Sequence, residues 1–237
     1  MKYLIILLAS VISVFSSDIL EKIDRNLTPV SAQMYKKLIN IEPDGAKKEF
    51  ILFQAKKDKE KMVSLFLSPD SEKGRSTLRL GDNMWLYIPN VGRPIRITSM
   101  QSVVGGVFNN ADIMRLDFST EYNVEKQEEK KEYLLLTLKA KNDTVSYDKL
   151  IMQVDKKSMT PLQIECYTST KLLIKTLYYK KLKDFGDNIV RPSVIETESP
   201  MYKGYKSIMI YGKILPKKFP DEAFTLDNLS KASNLRR

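Results

Sequence analysis

Apolar and polar residues follow a helical spacing at the start of the chain. Residues 18–23 carry apolar positions three and four residues apart, and Asp18 is placed to cap them as a helix. Thr28 and Pro29 are typical of a second helix start, because proline fits the first helical position. The apolar positions that follow, up to Pro43, are Val30, Met34, Leu38 and Ile41. The pattern therefore predicts two N-terminal helices.

From Lys47 onward the apolar residues recur at every second position, which is typical of strands. Short runs of Asp, Asn, Gly and Pro separate the alternating segments, as expected of turns. The segments predicted as strands are residues 50–55, 62–67, 76–80, 84–88, 95–98, 133–140, 145–154, 162–167, 172–183, 189–197 and 206–215. No helical pattern alternates with them, so we predict one antiparallel sheet that curls around the N-terminal helices.

Several of these strands are apolar on both faces. Phe53 and Phe50 lie on opposite faces of their strand, as do Trp85 and Met84. A strand that is buried on both sides needs a covering layer on each side or a ligand alongside it. The residues predicted to line an apolar ligand cavity are Phe53, Leu65, Phe66, Leu78, Trp85 and Tyr87. The alternative is that they are ordinary core residues.

Residues 100–108 are apolar but interrupt the strand pattern. Gly105 and Gly106 lower the helix propensity of this segment and loosen its packing. We predict either a movable lid over a cavity or a plain connection that plugs the end of the barrel. The candidate lid residues are Met100, Val103, Val104, Val107 and Phe108.

The order of elements in residues 73–122 is distinctive. Two short strands turn at residues 81–83, a turn that carries Arg93 leads to a third strand, and the apolar segment follows. Further matching stretches are residues 40–45, 191–193 and 224–229. In this order the chain resembles the outer-membrane lipoprotein-sorting (LolA-like) family, in particular a poorly characterised periplasmic branch. The resemblance implies an α+β fold in which a strongly curved antiparallel sheet forms a half-open β-barrel, with N-terminal helices and short lid helices covering an apolar cavity.

The resemblance also implies a function. It predicts a periplasmic carrier or chaperone that binds lipids or the acyl chains of lipoproteins for transfer toward the outer membrane. The expected protein partner is an inner-membrane permease of the RND/MMPL or lipoprotein-release type, and contact with the membrane is expected to be peripheral. Arg75, Arg93 and Arg96 are candidates for contact with lipid headgroups or with the permease. Two alternatives stay open: an envelope adaptor or stress-sensor subunit, and a hydrolase that uses cavity carboxylates.

The first residues have the features of a secretory signal peptide. Lys2 precedes an apolar run at residues 3–15, and Ser16 suits a cleavage site. A membrane-spanning helix needs about 20 apolar residues, so this run is short for one, although an uncleaved anchor is the alternative. No cysteine lies near the cleavage site, so lipidation is not expected. We predict a cleaved signal peptide at 1–16, a single domain at 17–237 and a periplasmic location.

Charge and residue content narrow the chemistry further. The formal net charge is +10, but lysines are interspersed with acids, so no basic arm for nucleic acid stands out. An anionic membrane surface or an acidic partner fits an exported protein better. Cys166 is the only cysteine, which excludes an internal disulfide, and its alternating neighbours predict a buried thiol.

The chain contains no histidine, which excludes Ser-His-Asp and Cys-His catalysis and removes the commonest zinc ligand. It also lacks the glycine motifs of nucleotide binding and the serine elbow of hydrolases. No motif links its acids Asp82, Asp112, Asp117 and Glu121. We therefore expect no cofactor, no metal site and no catalytic residues.

Overall fold

The computed structural model of the chain describes residues 9–115 and 117–236. Within these residues the chain forms one sheet of thirteen antiparallel strands and four α-helices. The strands are β1 (Ala32–Ile41), β2 (Lys47–Lys57), β3 (Lys61–Ser68), β4 (Ser76–Leu80), β5 (Asn83–Tyr87), β6 (Ile95–Ile97), β7 (Tyr122–Glu129), β8 (Tyr133–Ala140), β9 (Lys149–Asp155), β10 (Pro161–Tyr167), β11 (Leu173–Asp184), β12 (Val190–Glu198) and β13 (Lys206–Pro216). The helices are α1 (Ala9–Leu27), α2 (Asn110–Ile113), α3 (Phe118–Glu121) and α4 (Leu226–Leu229), with 3-10 turns at Asp221–Phe224 and Ala232–Arg236.

The strand order explains why the barrel stays open. It runs β6-β5-β4-β3-β2-β1-β13-β12-β11-β10-β9-β8-β7, so β6 and β7 form the two edges. The first and last strands, β1 and β13, pair in the middle of the sheet. Residues 98–121, which we call the lid segment, connect one edge to the other. The expected α+β fold with a curved, half-open sheet is confirmed.

The second predicted helix is wrong, because residues 32–41 form strand β1. Met34 and Leu38 are four residues apart, a spacing that fits both a helical period and a strand period of two. Lys36 and Asn40 point to the same buried face and are polar, so the alternation is hidden in the sequence. The first predicted helix lies within α1.

The eleven predicted strands correspond to β2–β6 and β8–β13, with differences at their ends. Strand β7 is absent from the sequence prediction because it is an edge strand made mostly of charged and polar residues, which hides its alternation. Of the predicted signal peptide, residues 1–8 lie outside the described residues, and α1 begins at Ala9. Cleavage after Ser16 stays a prediction.

The two faces of the sheet bury different apolar clusters. The face that carries α1 and the lid segment, here called the concave face, includes Leu38, Phe66 and Phe108. On the opposite, convex face, β2–β5 pack against residues 217–236, and this cluster includes Phe53 and Phe224. The sheet therefore has two separate coverings, and the candidate site lies under the lid segment.

Candidate functional site beneath the lid segment

The lid segment fills the concave face of the sheet. Val103, Val107 and Phe108 are buried, Val104 is half-buried, and Met100 is 43% exposed. Four of the five predicted lid residues therefore contribute to a cover over the apolar interior. Whether this cover moves stays a prediction.

Polar side chains of the sheet hold the tip of the lid segment through its main chain. Asn40 Nδ2 of β1 donates to the carbonyl of Val104 at 3.2 Å. The amide of Val107 donates to Ser207 Oγ at 2.9 Å, and Ser207 Oγ donates to Asn40 Oδ1 at 2.8 Å. Gly106 is needed here, because a Cβ atom on it would lie 2.2 Å from Asn40 Oδ1. These hydrogen bonds fasten the tip to β1 and β13 through its main-chain groups.

Helix α2 is held by a buried carboxylate. Asn109 and Asp112 form a capping box, and Asp112 also accepts hydrogen bonds from Lys175 Nζ and the Tyr147 hydroxyl, both at 2.9 Å. Arg115 lies 3.3 Å from the same carboxylate. Burial alone would raise the pKa of Asp112, but Lys175 and Arg115 outweigh it and hold the pKa below its usual value. Asp112 is therefore an ionised anchor of the lid segment.

The end of α2 is bound by its carbonyl groups. Gln54 Nε2 of β2 donates to the carbonyl of Ile113 at 2.9 Å, and Lys36 Nζ of β1 donates to the same oxygen at 3.4 Å. Arg79 of β4 donates to the carbonyl of Met114 at 3.0 Å. These contacts satisfy carbonyls at the helix end, where a four-residue helix leaves them without partners of its own.

Helix α3 is fastened by ion pairs and by α1. Asp117 lies 2.5 Å from Lys56 Nζ of β2 and also pairs with Arg25 of α1. Asp24 of α1 accepts from the amides of Phe118 and Ser119 at 2.7 and 2.9 Å, which caps the helix from outside. At the end of α3, the carboxylate of Glu121 pairs with the Arg79 guanidinium. Every element of the lid segment thus has a polar tether to the sheet or to α1.

The space that remains beneath the lid segment is small. It is a cavity of about 40 Å³. Its walls are both apolar and charged, and include Met34, Lys36, Met62, Phe108, Phe118, Leu177, Tyr179, Arg191, Ile195, Met209 and Tyr211. Pockets that hold a small ligand usually measure about 300–1,000 Å³. The cavity is therefore too small for such a ligand, and residues of the lid segment, among them Phe108 and Phe118, line it.

Comparisons with known proteins agree with this architecture. A family model described as "Uncharacterized protein" matches residues 58–231. The crystal structure of a LolA superfamily protein from Nitrosomonas europaea matches with a TM-score of 0.80 and 27% sequence identity, over 90% of this chain and 98% of that chain. The chain belongs to the family that this model describes, and its fold is LolA-like.

Two further crystal structures show the same LolA-like fold at lower identity. A putative outer membrane lipoprotein-sorting protein domain from Vibrio parahaemolyticus has a TM-score of 0.76 and 17% identity, over 92% of this chain and 99% of that chain. A DUF1329 family protein from Desulfovibrio piger has a TM-score of 0.77 and 18% identity, over 92% and 98%. No curated protein matches the sequence.

The residues predicted to line the lipid cavity of this LolA-like protein divide between the two faces of the sheet. Phe66 belongs to the concave cluster. The other five belong to the convex cluster or pack against it, under residues 217–236; they are Phe53, Leu65, Leu78, Trp85 and Tyr87. The strands are apolar on both faces, so the sequence could not distinguish the face that the lid segment covers from the face that the C-terminus covers.

The three predicted arginines lie apart from the lid segment's tethers. Arg75 pairs with Glu72 at 3.0 Å and its guanidinium lies 5.4 Å from the Phe66 ring centre. Arg96 donates to the Asn83 side chain, and Arg93 is exposed in the turn before β6. A role of these arginines toward headgroups or a permease stays a prediction.

The residues that sequence analysis missed are the buried cations of the concave face. Lys36, Lys56, Arg79, Lys175 and Arg191 come from five different strands. A signal was present, since each is a charged residue at an inward position of an alternating strand. The sequence shows Asp112, Asp117 and Glu121 only as unlinked carboxylates, because the strand cations Lys175, Lys56 and Arg79 that pair with them lie far away in sequence.

Other features of the LolA-like protein limit its chemistry. Cys166 is buried, as predicted, and burial raises the pKa of its thiol to about 12. In the part of the chain that the structure describes, no group of three or more acids and cysteines is arranged to hold a metal ion. Across those same residues, none of the helices has the length and apolarity that crossing a membrane requires.

Proposed function

We propose that this LolA-like protein is a periplasmic carrier that shelters lipids, or the acyl chains of lipoproteins, beneath its lid segment on the way to the outer membrane. The observation that carries this proposal is the nature of the lid. It covers an apolar interior, yet it is fastened by ion pairs and by hydrogen bonds to its main chain. Water can replace such contacts when the segment moves away, so opening does not strand polar groups.

A carrier is physically necessary for such cargo. Exposing an acyl chain to water costs about 0.8 kcal/mol for each CH₂ group, or roughly 13 kcal/mol for a chain of sixteen carbons. The carrier must shield the chain and later release it. A cover held by exchangeable contacts meets both demands better than a closed core.

Cargo that displaces the lid segment would meet an adaptable wall. Met34, Met62 and Met209 line the cavity together with Leu177 and Ile195. Methionine is flexible and polarizable, which suits acyl chains of different length and shape. Phe66 is the predicted lining residue that belongs to this cluster.

The family resemblance suggests the protein partners of the carrier. We propose an inner-membrane permease of the RND/MMPL or lipoprotein-release type as donor or acceptor of the cargo, after export through the N-terminal signal. The buried acids support binding rather than hydrolysis, because Asp112, Asp117 and Glu121 are all engaged by cations. A carboxylate that anchors a salt bridge is a poor proton donor for catalysis.

The test is the lipid content and lipid uptake of the purified protein. We expect lipid to co-purify in native mass spectrometry and a fluorescent fatty acid to be taken up. Lys175→Met removes the contacts to Asp112 and to the carbonyl of Val107, so uptake should become faster. The matched control is Lys180→Met on the same strand, where the lysine is exposed and pairs with Glu196. A lipid-free protein that takes up no fatty acid, and instead captures a membrane protein, would favour the adaptor alternative.

A further inference from the structure

The buried charges of the concave face are not balanced. Five positive and four negative side chains are buried among the described residues. The four acids are all engaged: Asp112 by Lys175, Asp117 by Lys56, Glu121 by Arg79, and Asp24 by the amides of α3. Within the described residues, Lys36 and Arg191 form no ion pair with any of them.

These two cations lie side by side against one tyrosine. Lys36 Nζ lies 4.6 Å, and the Arg191 guanidinium carbon 3.9 Å, from the ring centre of Tyr211. Lys36 is 5% exposed and Arg191 is 2% exposed. The hydrogen bonds of Arg191 go to uncharged oxygens, the carbonyls of Leu27 and Pro192 and the Thr28 hydroxyl.

An uncompensated buried charge is costly, and two of equal sign next to each other repel. Burial lowers the pKa of the Lys36 ammonium, consistent with that cost. An anion from outside the chain would compensate these charges, and the protonated Tyr211 hydroxyl would serve it as a hydrogen-bond donor.

The cavity lies at this position. Its walls include Lys36, Arg191 and Tyr211, while the acids that also line it, Asp24, Asp112 and Asp117, have partners of their own. Its volume of about 40 Å³ suits a carboxylate-sized group rather than a large polar headgroup. The apolar residues Met34 and Met209 line the same space, so a hydrocarbon chain attached to the anion would continue along them.

We propose that Lys36, Arg191 and Tyr211 form an anion site that binds the carboxylate of a fatty acid. The cargo class, a single-chain anionic lipid, rests on the proposed carrier function, whereas the anion site itself rests on the buried charges alone. Lys36 also donates to the carbonyl of Ile113 at the end of α2. A carboxylate competes for this ammonium, so binding of the head group weakens one tether of the lid segment.

The experiment compares the binding of oleate with the binding of its uncharged methyl ester. The wild type should bind oleate roughly tenfold to a hundredfold more tightly, the range expected of a charge-assisted hydrogen bond. Lys36→Met should bring this ratio close to one. The matched control is Lys37→Met, the next residue of β1, which is exposed and pairs with Glu49. A ratio that is unchanged in Lys36→Met, or an equal loss in Lys37→Met, overturns the proposal.

A second measurement separates the anion site from lipid carriage. Hexanoate, a carboxylate with a short chain, should raise the thermal midpoint of the wild type and of Lys37→Met but not that of Lys36→Met. If hexanoate stabilises the wild type in this way while no long-chain lipid binds, the anion site stands and the carrier function fails. If oleate and its ester bind equally well and hexanoate has no effect, the carrier function stands and the anion site is refuted.

Discussion

The same sheet is covered twice, and the two coverings are held by different forces. On the convex face, residues 217–236 pack against β2–β5 through apolar side chains such as Phe53, Leu78 and Phe224. On the concave face, the lid segment adds to its apolar contacts a set of buried ion pairs and main-chain hydrogen bonds, among them Lys56 with Asp117.

Under the proposed function, the difference separates a permanent covering from an exchangeable one. Apolar side chains that leave a core expose their whole area to water, and nothing in water compensates for the loss. Ionised groups and backbone carbonyls are hydrated when they separate, so their net contribution to closure is small. A half-barrel that must open on one face and stay folded on the other can use this contrast.

The largest effect is expected from a change that weakens the permanent covering. Phe53 is fully buried and packs edge-on against Tyr35, with ring centres 5.4 Å apart. Phe53→Ala should lower the free energy of unfolding by about 4 kcal/mol, because it leaves a cavity. Urea unfolding measures this. Leu226→Ala is the control, since Leu226 is 39% exposed and its loss should cost much less. Equal effects of the two variants would contradict a cover held by apolar burial.

A single substitution in the lid segment should lower the free energy of unfolding by less, and a second substitution should restore most of that loss. Asp117→Asn leaves the buried ammonium of Lys56 without its partner, so we expect a loss of about 3 kcal/mol in the free energy of unfolding. Replacing both residues, as Lys56→Met with Asp117→Leu, should recover most of it, since no buried charge remains. If the double variant is as unstable as Asp117→Asn, the ion pair itself contributes the stability and the concave face resembles the convex one.

The two neighbouring glycines of the lid segment test its fit against the sheet. Gly106→Ala places a methyl group against the Asn40 side chain, so it should cost about 2 kcal/mol and loosen the tip. Gly105→Ala meets no atom within 4 Å but is strained at a φ of +75°, so it should cost about 1 kcal/mol. Only Gly106→Ala should speed the uptake of a fluorescent fatty acid. Equal acceleration by both variants would show that general destabilisation opens the lid.

Much of the fold could be predicted from the sequence because strand alternation and turn residues are local. These signals predicted eleven of the strands. The resemblance of residues 73–122 to a known family predicted that the sheet forms a half-open barrel. The prediction missed strand β1 because Lys36 and Asn40 face inward. A polar residue at an inward position removes the alternation on which the prediction depends.

The candidate site was much less predictable. Phe53 and Phe66 are equally apolar in the sequence. The pairing of Phe53 with Leu65 places them on opposite faces, and only the packing of residues 217–236 shows which face they cover. The polar tethers of the lid segment are harder still to predict, because partners such as Lys175 and Asp112 are 63 residues apart. A sequence with many lysines and acids does not show which of them meet.

The stability of the concave face should also depend on pH, and this effect on the free energy of unfolding should be smaller than most of the effects above. Burial alone would raise the pKa of Tyr211, but Lys36 and Arg191 outweigh it and lower the pKa to about 8. An unfolded tyrosine has a pKa of about 10. Between these values the unfolded chain holds more protons, so this contribution to stability is complete above pH 10 and is lost as the pH falls through 8. The free energy of unfolding of the wild type relative to Tyr211→Phe should therefore rise by about 1 kcal/mol from pH 7 to 9. Met209→Leu, an uncharged change in the same cavity wall, should follow the wild-type profile. Parallel profiles for the wild type and Tyr211→Phe would show that the ionisation of Tyr211 does not respond to Lys36 and Arg191.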